Sequence, residues 1–401
     1  MPSETAAAGV TESVKERARK RIVALSDDLL DLSHRIHAEP ELGFLEARAA
    51  SRITDALEAG GMRVERAAYG LETAFRASAG TSGPEIAIVA EYDALPVVGH
   101  ACGHNIIAAA AVGAGLALSE VAEERGFIVR VIGTPGEETL NPGGKVLLLE
   151  RGAFDGLTAA MMVHPAPFDV LAPVMIAAAV LDVEYTGRGS HAAFYPELGI
   201  NAADAMTVAQ VAMGLLRQHI RATDRMHGIV THGGDAANIV PARTTGRFVV
   251  RSTSLDETVA LWDRLRHCFE AGALATGATL SVVGGKPYAQ VRHNAALAQL
   301  YRRNAERLGR RFADGEATTR PSGSTDMGNV SLAVPSIHPF VGIGSWPAVN
   351  HQPEFTAHCA TREADQAVID GATALAWTAI DLAAMSDPVA YLASEGARGT
   401  H

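Results

Sequence analysis

Residues 85–139, EIAIVAEYDALPVVGHACGHNIIAAAAVGAGLALSEVAEERGFIVRVIGTPGEET, hold the pattern that decides the fold. The stretch opens on a short apolar run (85–93), passes through an alanine-rich helical segment, and returns to a second apolar run, FIVRVIGTP (127–135). Short apolar runs punctuated by glycine and proline read as strands, and strand alternating with helix reads as a parallel sheet in an α/β layer. LTAAMMVHP (157–165) supplies a third such run. The polar residues fitted for chemistry, Asp93, Glu137, Glu138 and His164, fall at or just after the ends of these runs. In open α/β sheets that is where ligands bind.

Outward from this stretch, apolar residues at helical spacing (Ile22, Leu25, Leu29, Leu32, Ile36) predict a helix over about 14–36 that stops before Pro40, and a second helix covers 45–57. Beyond the third run the pattern changes. A strand (175–186), a helix (202–220), two strands (228–231 and 244–252), a helix (255–274) and a strand (279–283) give the order βαββαβ, a ferredoxin-like unit. After residue 291 the α/β character returns, with a helix over 294–308, a strand in SIHPFVGIG and a closing helix over about 362–385. The expectation is therefore an α/β catalytic domain with a mostly parallel central sheet, built from 1–174 and 292–401. A ferredoxin-like lid and dimerisation domain, 175–291, interrupts it.

Composition narrows the classes of function. A chain of 401 residues with 48% hydrophobic content buries at least one full core. Its 34 basic and 45 acidic residues leave a formal charge of −11 with no basic run, which argues against nucleic acid or an anionic membrane as partner. Three scattered cysteines, Cys102, Cys268 and Cys359, are too few for a disulfide framework and fit a reducing cytoplasm. The polar N-terminal stretch lacks the apolar core of a signal peptide. The alanine-rich segment near Ala108 reads as too short and too glycine-interrupted to span a bilayer, so a soluble protein is expected.

The densest chemical signal is GHACGHN (99–105), where Cys102 and His104 can reach one metal if the glycine between them allows a tight turn. The same residues also fit a glycine-rich turn with a buried thiol and a capping histidine. In TPGEETLNPGG, Glu137 and Glu138 leave an extended segment in different directions, so one carboxylate can bind metal while its neighbour faces water; a solvated acidic turn is the alternative. His164 in MMVHP and His351 in VNHQPEF complete a set of borderline and hard donors suited to Zn, Mn or Co, with Glu137 left over as a base.

At these residues the chain resembles the aminoacylase and carboxypeptidase-G superfamily of metallopeptidases, in its amidohydrolase branch. AEYDALPVVGHACGHN, the Glu-Glu pair, MMVHP, GSTDMGNVSLAVPSIHPF and NHQPEF carry the likeness in the same order, across nearly the whole chain. Within the branch it is nearest to the p-aminobenzoyl-glutamate hydrolase B-subunit group and to the Xaa-Arg (β-alanyl-lysine) dipeptidases. The resemblance implies two divalent ions held by Cys102, His104, Glu138, His164 and His351, with Glu137 as general base and Asp93 orienting the site. One departure stands out, because other branches place a ligand histidine where this chain has Glu91. In the inserted unit, GRGSHAAFYPELGINAADA resembles a lid whose histidine, here His191, reaches the active site of a partner subunit. GGDAANIVPARTTGRFVVR resembles the lid segment whose Asn238 and Arg251 hold the substrate's carbonyl and carboxylate.

These readings predict a homodimeric enzyme cleaving the amide bond of a dipeptide or N-acyl amino acid, p-aminobenzoyl-glutamate included. Water activated between two ions would attack the carbonyl with Glu137 as base, His191 aiding the oxyanion and Arg251 holding a carboxylate. A metal-binding scaffold without turnover and a thiol enzyme using Cys102 with a nearby histidine are the readings of other classes.

Overall fold

The computed structural model describes residues 4–139 and 142–396, so Leu140 and Asn141 of the TPGEETLNPGG stretch lie outside the described residues. Its strands begin with β1 (Arg63–Arg66), β2 (Phe75–Ala79), β3 (Glu85–Ala90), β4 (Ile128–Gly133), β5 (Ala159–Met161) and β6 (His164–Ala166). Then come β7 (Ala177–Thr186), β8 (Arg225–His232), β9 (Arg243–Ser252) and β10 (Thr279–Gly284), and finally β11 (Ser336–Ile337) and β12 (Phe340–Gly342).

The central sheet has the order β1-β2-β4-β3-β5-β11. Strands β4, β3, β5 and β11 run parallel, and β1 and β2 add an antiparallel edge. In β3 every residue after Glu85 is buried, as expected of a parallel strand covered on both faces. The edge strands, RVER and FRASA, are too short and too polar to stand out in the sequence.

The alanine-rich segment forms the helix His104–Arg125, against which the helices Ser26–Ala38 and Arg362–Ala383 pack. It is long and apolar enough to cross a membrane, contrary to the expectation that it is too short; every residue from His104 to Leu118 is instead buried within protein. Its glycines serve close packing. A Cβ on Gly113 would sit 2.9 Å from Leu29 Cδ1 and 3.0 Å from Ala372 Cβ.

Three expected elements are divided. The helix foreseen over 14–36 is two, Glu4–Ala24 and Ser26–Ala38, because Leu25 leaves helical geometry at φ −95°, ψ 2° and Asp27 and Asp28 favour a new helix start. The runs 157–165 and 336–344 each break in the middle. Their first halves, β5 and β11, belong to the central sheet, and their second halves, β6 and β12, form a separate parallel ribbon. Pairing continues through the bend, since Met162 N–H donates to Ile337 O at 3.3 Å and His164 N–H to Pro339 O at 3.0 Å. This bend presents His164 at the head of a new strand.

Between Ala177 and Gly284 a second, wholly antiparallel sheet has the order β10-β7-β9-β8, the ferredoxin-like arrangement expected from βαββαβ. The helices Ala202–Leu216 and Leu255–Thr276 back it. They start on side-chain caps, Asn201 accepting from Ala203 and Asp204 N–H and Ser254 from Glu257 N–H. The first ends at Leu216, short of the expected 220, where a 3₁₀ turn, Arg217–His219, takes over. Leu181, Tyr185, Met206, Phe248 and Phe269 give this unit its own hydrophobic cluster. It joins the frame where Ile176 N–H donates to Gly323 O at 2.9 Å.

Candidate metal centre

The carboxyl ends of the parallel strands bring the site together. Asp93 lies just beyond β3, Cys102 in the turn before the long core helix, Glu137 and Glu138 just beyond β4, and His164 at the head of β6. The Cys-Gly-His spacing works because Gly103 takes φ +75°, and a Cβ there would lie 2.4 Å from Pro165 Cγ and 3.2 Å from Cys359 Sγ. His351 arrives from a loop in left-handed geometry, φ +72°, held by its N–H donating to Ala101 O at 2.8 Å. Non-glycine residues in that region cluster at functional sites.

Ligand atoms from the five side chains chosen from the sequence, together with Glu137, fall into overlapping groups, each with its atoms within 4.8 Å of one another: Cys102, His104 and His164; Cys102, Glu138 and His351; and His104, Glu137 and Glu138. Cys102 Sγ stands 3.3 Å from His164 Nε2, and His351 Nε2 stands 3.2 Å from Glu138 Oε1. The thiol is common to two of the groups.

The residues around the ligands orient them. Asp93 Oδ1 is 2.9 Å from His104 Nδ1, and Asp93 Oδ2 accepts the Glu138 N–H at 3.0 Å. His164 Nδ1 is 2.9 Å from Pro165 O, which turns Nε2 toward Cys102. Such partners on the far ring nitrogen are what ligating histidines ordinarily have. Glu46, fully buried, accepts the Gly136 N–H at 2.8 Å and so fixes the turn that carries the glutamate pair.

A metal fits this donor set. The buried His104 Nε2 and Glu138 Oε1 have no hydrogen-bond partner, although buried polar atoms nearly always have one. Their nearest polar neighbours, Glu91 Oε2 at 3.4 Å from His104 Nε2 and His351 Nε2 at 3.2 Å from Glu138 Oε1, form no aligned hydrogen bond, which leaves both atoms open to a cation. Burial, and then the neighbouring carboxylates Glu138 and Glu137, push the Cys102 thiol well above its ordinary range. Burial likewise lowers His164 to about 4. Neither shift favours a thiolate–imidazolium pair, which needs the thiol lowered and the imidazole raised. Burial, reinforced by Glu138, Glu91 and Asp326, raises Glu137 well above a normal carboxyl. At Glu138 burial also acts upward, but His351 and His104 outweigh it and its pKa is lowered.

Other contacts were not legible in the sequence. Glu91 Oε1 lies 2.5 Å from the ammonium of Lys145, which also contacts Asp326 Oδ1 at 2.6 Å, all three side chains being fully buried. Tyr288 donates to the backbone oxygen of Glu137 at 2.7 Å. Asn350 Nδ2 donates to Pro165 O at 3.1 Å beside Cys102. The GGK and GSTD tripeptide and tetrapeptide were the only signals of Lys145 and Asp326.

The lid residues stand apart from these groups. His191 is exposed, and its Nδ1 accepts from Ala193 and Phe194 N–H within its own turn. Asn238 is exposed, and its backbone oxygen accepts from Ala192 N–H at 3.0 Å. Arg251 is half-buried and donates to Ser324 Oγ at 2.8 Å, next to the Asp326 segment. Among the described residues it has no carboxylate partner, and burial lowers its pKa.

Residues 87–373 match the model of "Peptidase family M20/M25/M40". The Xaa-Arg dipeptidase of Mus musculus is 39% identical over 394 residues, covering 94% of this chain and 91% of that protein. The p-aminobenzoyl-glutamate hydrolase B-subunit of Escherichia coli is 32% identical, covering 62% of this chain and 56% of its own. Among solved structures, a dinuclear metal-binding M20 peptidase of Bacillus subtilis superposes with a TM-score of 0.67 at 22% identity, covering 90% of this chain and 98% of that one, and so shares the fold.

Proposed function

From the membership of this chain in peptidase family M20/M25/M40, to which it belongs and which makes it a metal-dependent amide hydrolase, we propose a dipeptidase that releases an amino acid with a free carboxylate. The observation that carries the reading is the convergence of Cys102, His104, Glu138, His164 and His351, with the Glu137 carboxylate beside them and assigned here as base rather than ligand.

Two divalent ions, Zn, Mn or Co by the borderline character of the donors, would supply a water of lowered pKa and polarise the scissile carbonyl. Cys102, His104, Glu138, His164 and His351 would hold them. Glu137, whose carboxyl is held above its ordinary range by burial and by the neighbouring Glu138, takes a proton from the attacking water and passes it to the leaving amine. Asp93 holds His104 and the Glu138 turn in place. Arg251, a half-buried guanidinium without a carboxylate partner, is suited to a substrate carboxylate, and Asn238 to the carbonyl.

His191 is assigned to the oxyanion of a partner subunit's substrate. Its exposure and its separation from the ligand groups support a contribution across a dimer of lids. The lid also offers the surface: β8 is an edge strand with Ile229 66% exposed, and the helix Ala202–Leu216 leaves Val211 and Leu215 exposed. Residues 1–174 and 292–401 act as the catalytic unit and 175–291 as lid. The three free, buried cysteines fit a cytoplasmic setting.

The test is a screen of protein reconstituted separately with Zn, Mn and Co against dipeptides ending in arginine or lysine, N-acyl amino acids and p-aminobenzoyl-glutamate, reading free amine. Fastest turnover on a dipeptide with a basic component supports the proposal. Preference for p-aminobenzoyl-glutamate moves the substrate class, and no hydrolysis with any ion would leave a scaffold.

A further inference from the structure

Adjoining the ligand groups, and sharing Glu137 with one of them, lies a second cluster, whose Glu91 Oε2 stands 3.4 Å from His104 Nε2. One oxygen each from Glu91, Glu137 and Asp326 fall within 4.8 Å of one another, and Glu91 and Asp326 are fully buried. Three carboxylates so placed make a site for a hard cation. Here the ammonium of Lys145 is that cation, 2.5 Å from Glu91 Oε1 and 2.6 Å from Asp326 Oδ1. Neither Glu91 oxygen accepts an aligned hydrogen bond, so the Glu91–Lys145 contact is one of charge. Asp326 grips the lysine twice, accepting the side-chain N–H on Oδ1 and the backbone N–H at 2.8 Å on Oδ2.

The chain is shaped to deliver this lysine. The two glycines before it allow approaches that no side chain permits: a Cβ on Gly144 would lie 1.7 Å from Pro135 O, and one on Gly143 would lie 2.6 Å from Asp326 Oδ2. Burying an ammonium is costly unless it is paired, and here its partners are Glu91, two residues before Asp93, and Asp326, which is clustered with Glu137.

We propose that Lys145 is a resident counter-cation of the catalytic centre, a positioning residue that holds Glu91 and Asp326 beside Glu137 and keeps divalent ions out of this carboxylate nest. Ions are thereby confined to the Cys102 side, and the Glu137 lone pair stays free to take a proton. The inference rests on the proposed metal-dependent function, and it gives Glu91, standing where other branches carry a ligand histidine, a counter-charge on one oxygen in Lys145, while its other oxygen faces His104 Nε2 at 3.4 Å.

The experiment compares metal-free wild type, Lys145→Met and Lys145→Arg after dialysis against Mn²⁺, counting ions by mass spectrometry and following Mn²⁺ by electron paramagnetic resonance. Lys145→Met should hold about one ion per chain more than wild type, and adding Asp326→Asn should remove it. Lys145→Arg, still cationic, should match wild type. At saturating Mn²⁺, Lys145→Met should lose at least about tenfold in kcat with KM within about twofold. If metal-free Lys145→Met is unfolded by circular dichroism, Mn²⁺ should restore its fold by replacing the ammonium. A Lys145→Met protein with wild-type ion content and kcat, or one that stays unfolded at every Mn²⁺ concentration, overturns the proposal. The difference between variant and wild type tests Lys145, whereas the wild-type count alone tests the two-ion reading.

Discussion

Asp93→Asn is the substitution for which the geometry makes the sharpest demand. Asp93 is buried and uses its two oxygens for two different halves of the site, Oδ1 on His104 Nδ1 at 2.9 Å and Oδ2 on Glu138 N–H at 3.0 Å. An asparagine keeps one oxygen. If its NH₂ faces His104, Nδ1 must accept, the proton moves to Nε2, and the ring loses the lone pair it offers a metal. If its NH₂ faces Glu138, two donors meet and the turn carrying the glutamates is displaced. Either arrangement should weaken metal binding by about 10–100-fold, or roughly 1.4–2.7 kcal/mol. Competition with a chromophoric chelator measures this, and the His104→Ala background separates the two routes: the tautomer effect vanishes there, the turn effect persists. Without metal there is a pH signature as well. Burial acts to lower His104, but Asp93 outweighs it and holds the ring up to about 10 against an ordinary 6.5. Folded His104 thus binds its proton more tightly than unfolded, so this stabilisation is full below pH 6.5 and is lost as pH rises toward 10. Asp93→Asn should flatten that decline. Wild-type metal affinity and an unchanged pH profile in Asp93→Asn would refute the orienting role.

Glu137→Gln should lower kcat by about two to four orders of magnitude while ion content by mass spectrometry stays at the wild-type value, because a base is lost and no ligand is. Glu46 is raised to about 7 from 4.5, first by burial and then by Asp93, so the folded state holds its proton more tightly and stability falls as pH rises from 4.5 to 7. Glu46→Gln should remove up to about 3 kcal/mol of that fall, read by denaturant unfolding at both ends of the window; an unaltered slope would count against it. Mixing inactive His191→Ala and Glu137→Gln proteins should recover part of the activity if the lid histidine serves a neighbouring subunit, and no recovery after proven subunit exchange would place the whole site within one chain.

The division between what the amino acids announce and what folding adds is visible residue by residue. Local order was legible: the parallel sheet came from short apolar runs alternating with helical stretches, and the βαββαβ unit from its order of elements, because backbone periodicity is a short-range property. The ligand types were legible too, since a thiol, imidazoles and carboxylates at strand ends are chemically conspicuous. The bend that separates β5 from β6, and the break at Leu25, were not, because each depends on which neighbour the chain packs against.

Reading the amino acids alone yields the fold class and a set of candidate metal-binding side chains. Only the tertiary structure decided how their charges are balanced: that Asp93 spans His104 and Glu138, that Glu46 fixes the Gly136 turn, and that Lys145 answers Glu91 and Asp326. The physical reason is that an electrostatic environment is set by distance and burial. Lys145 and Asp326 are separated by 181 positions along the chain and by 2.6 Å in space.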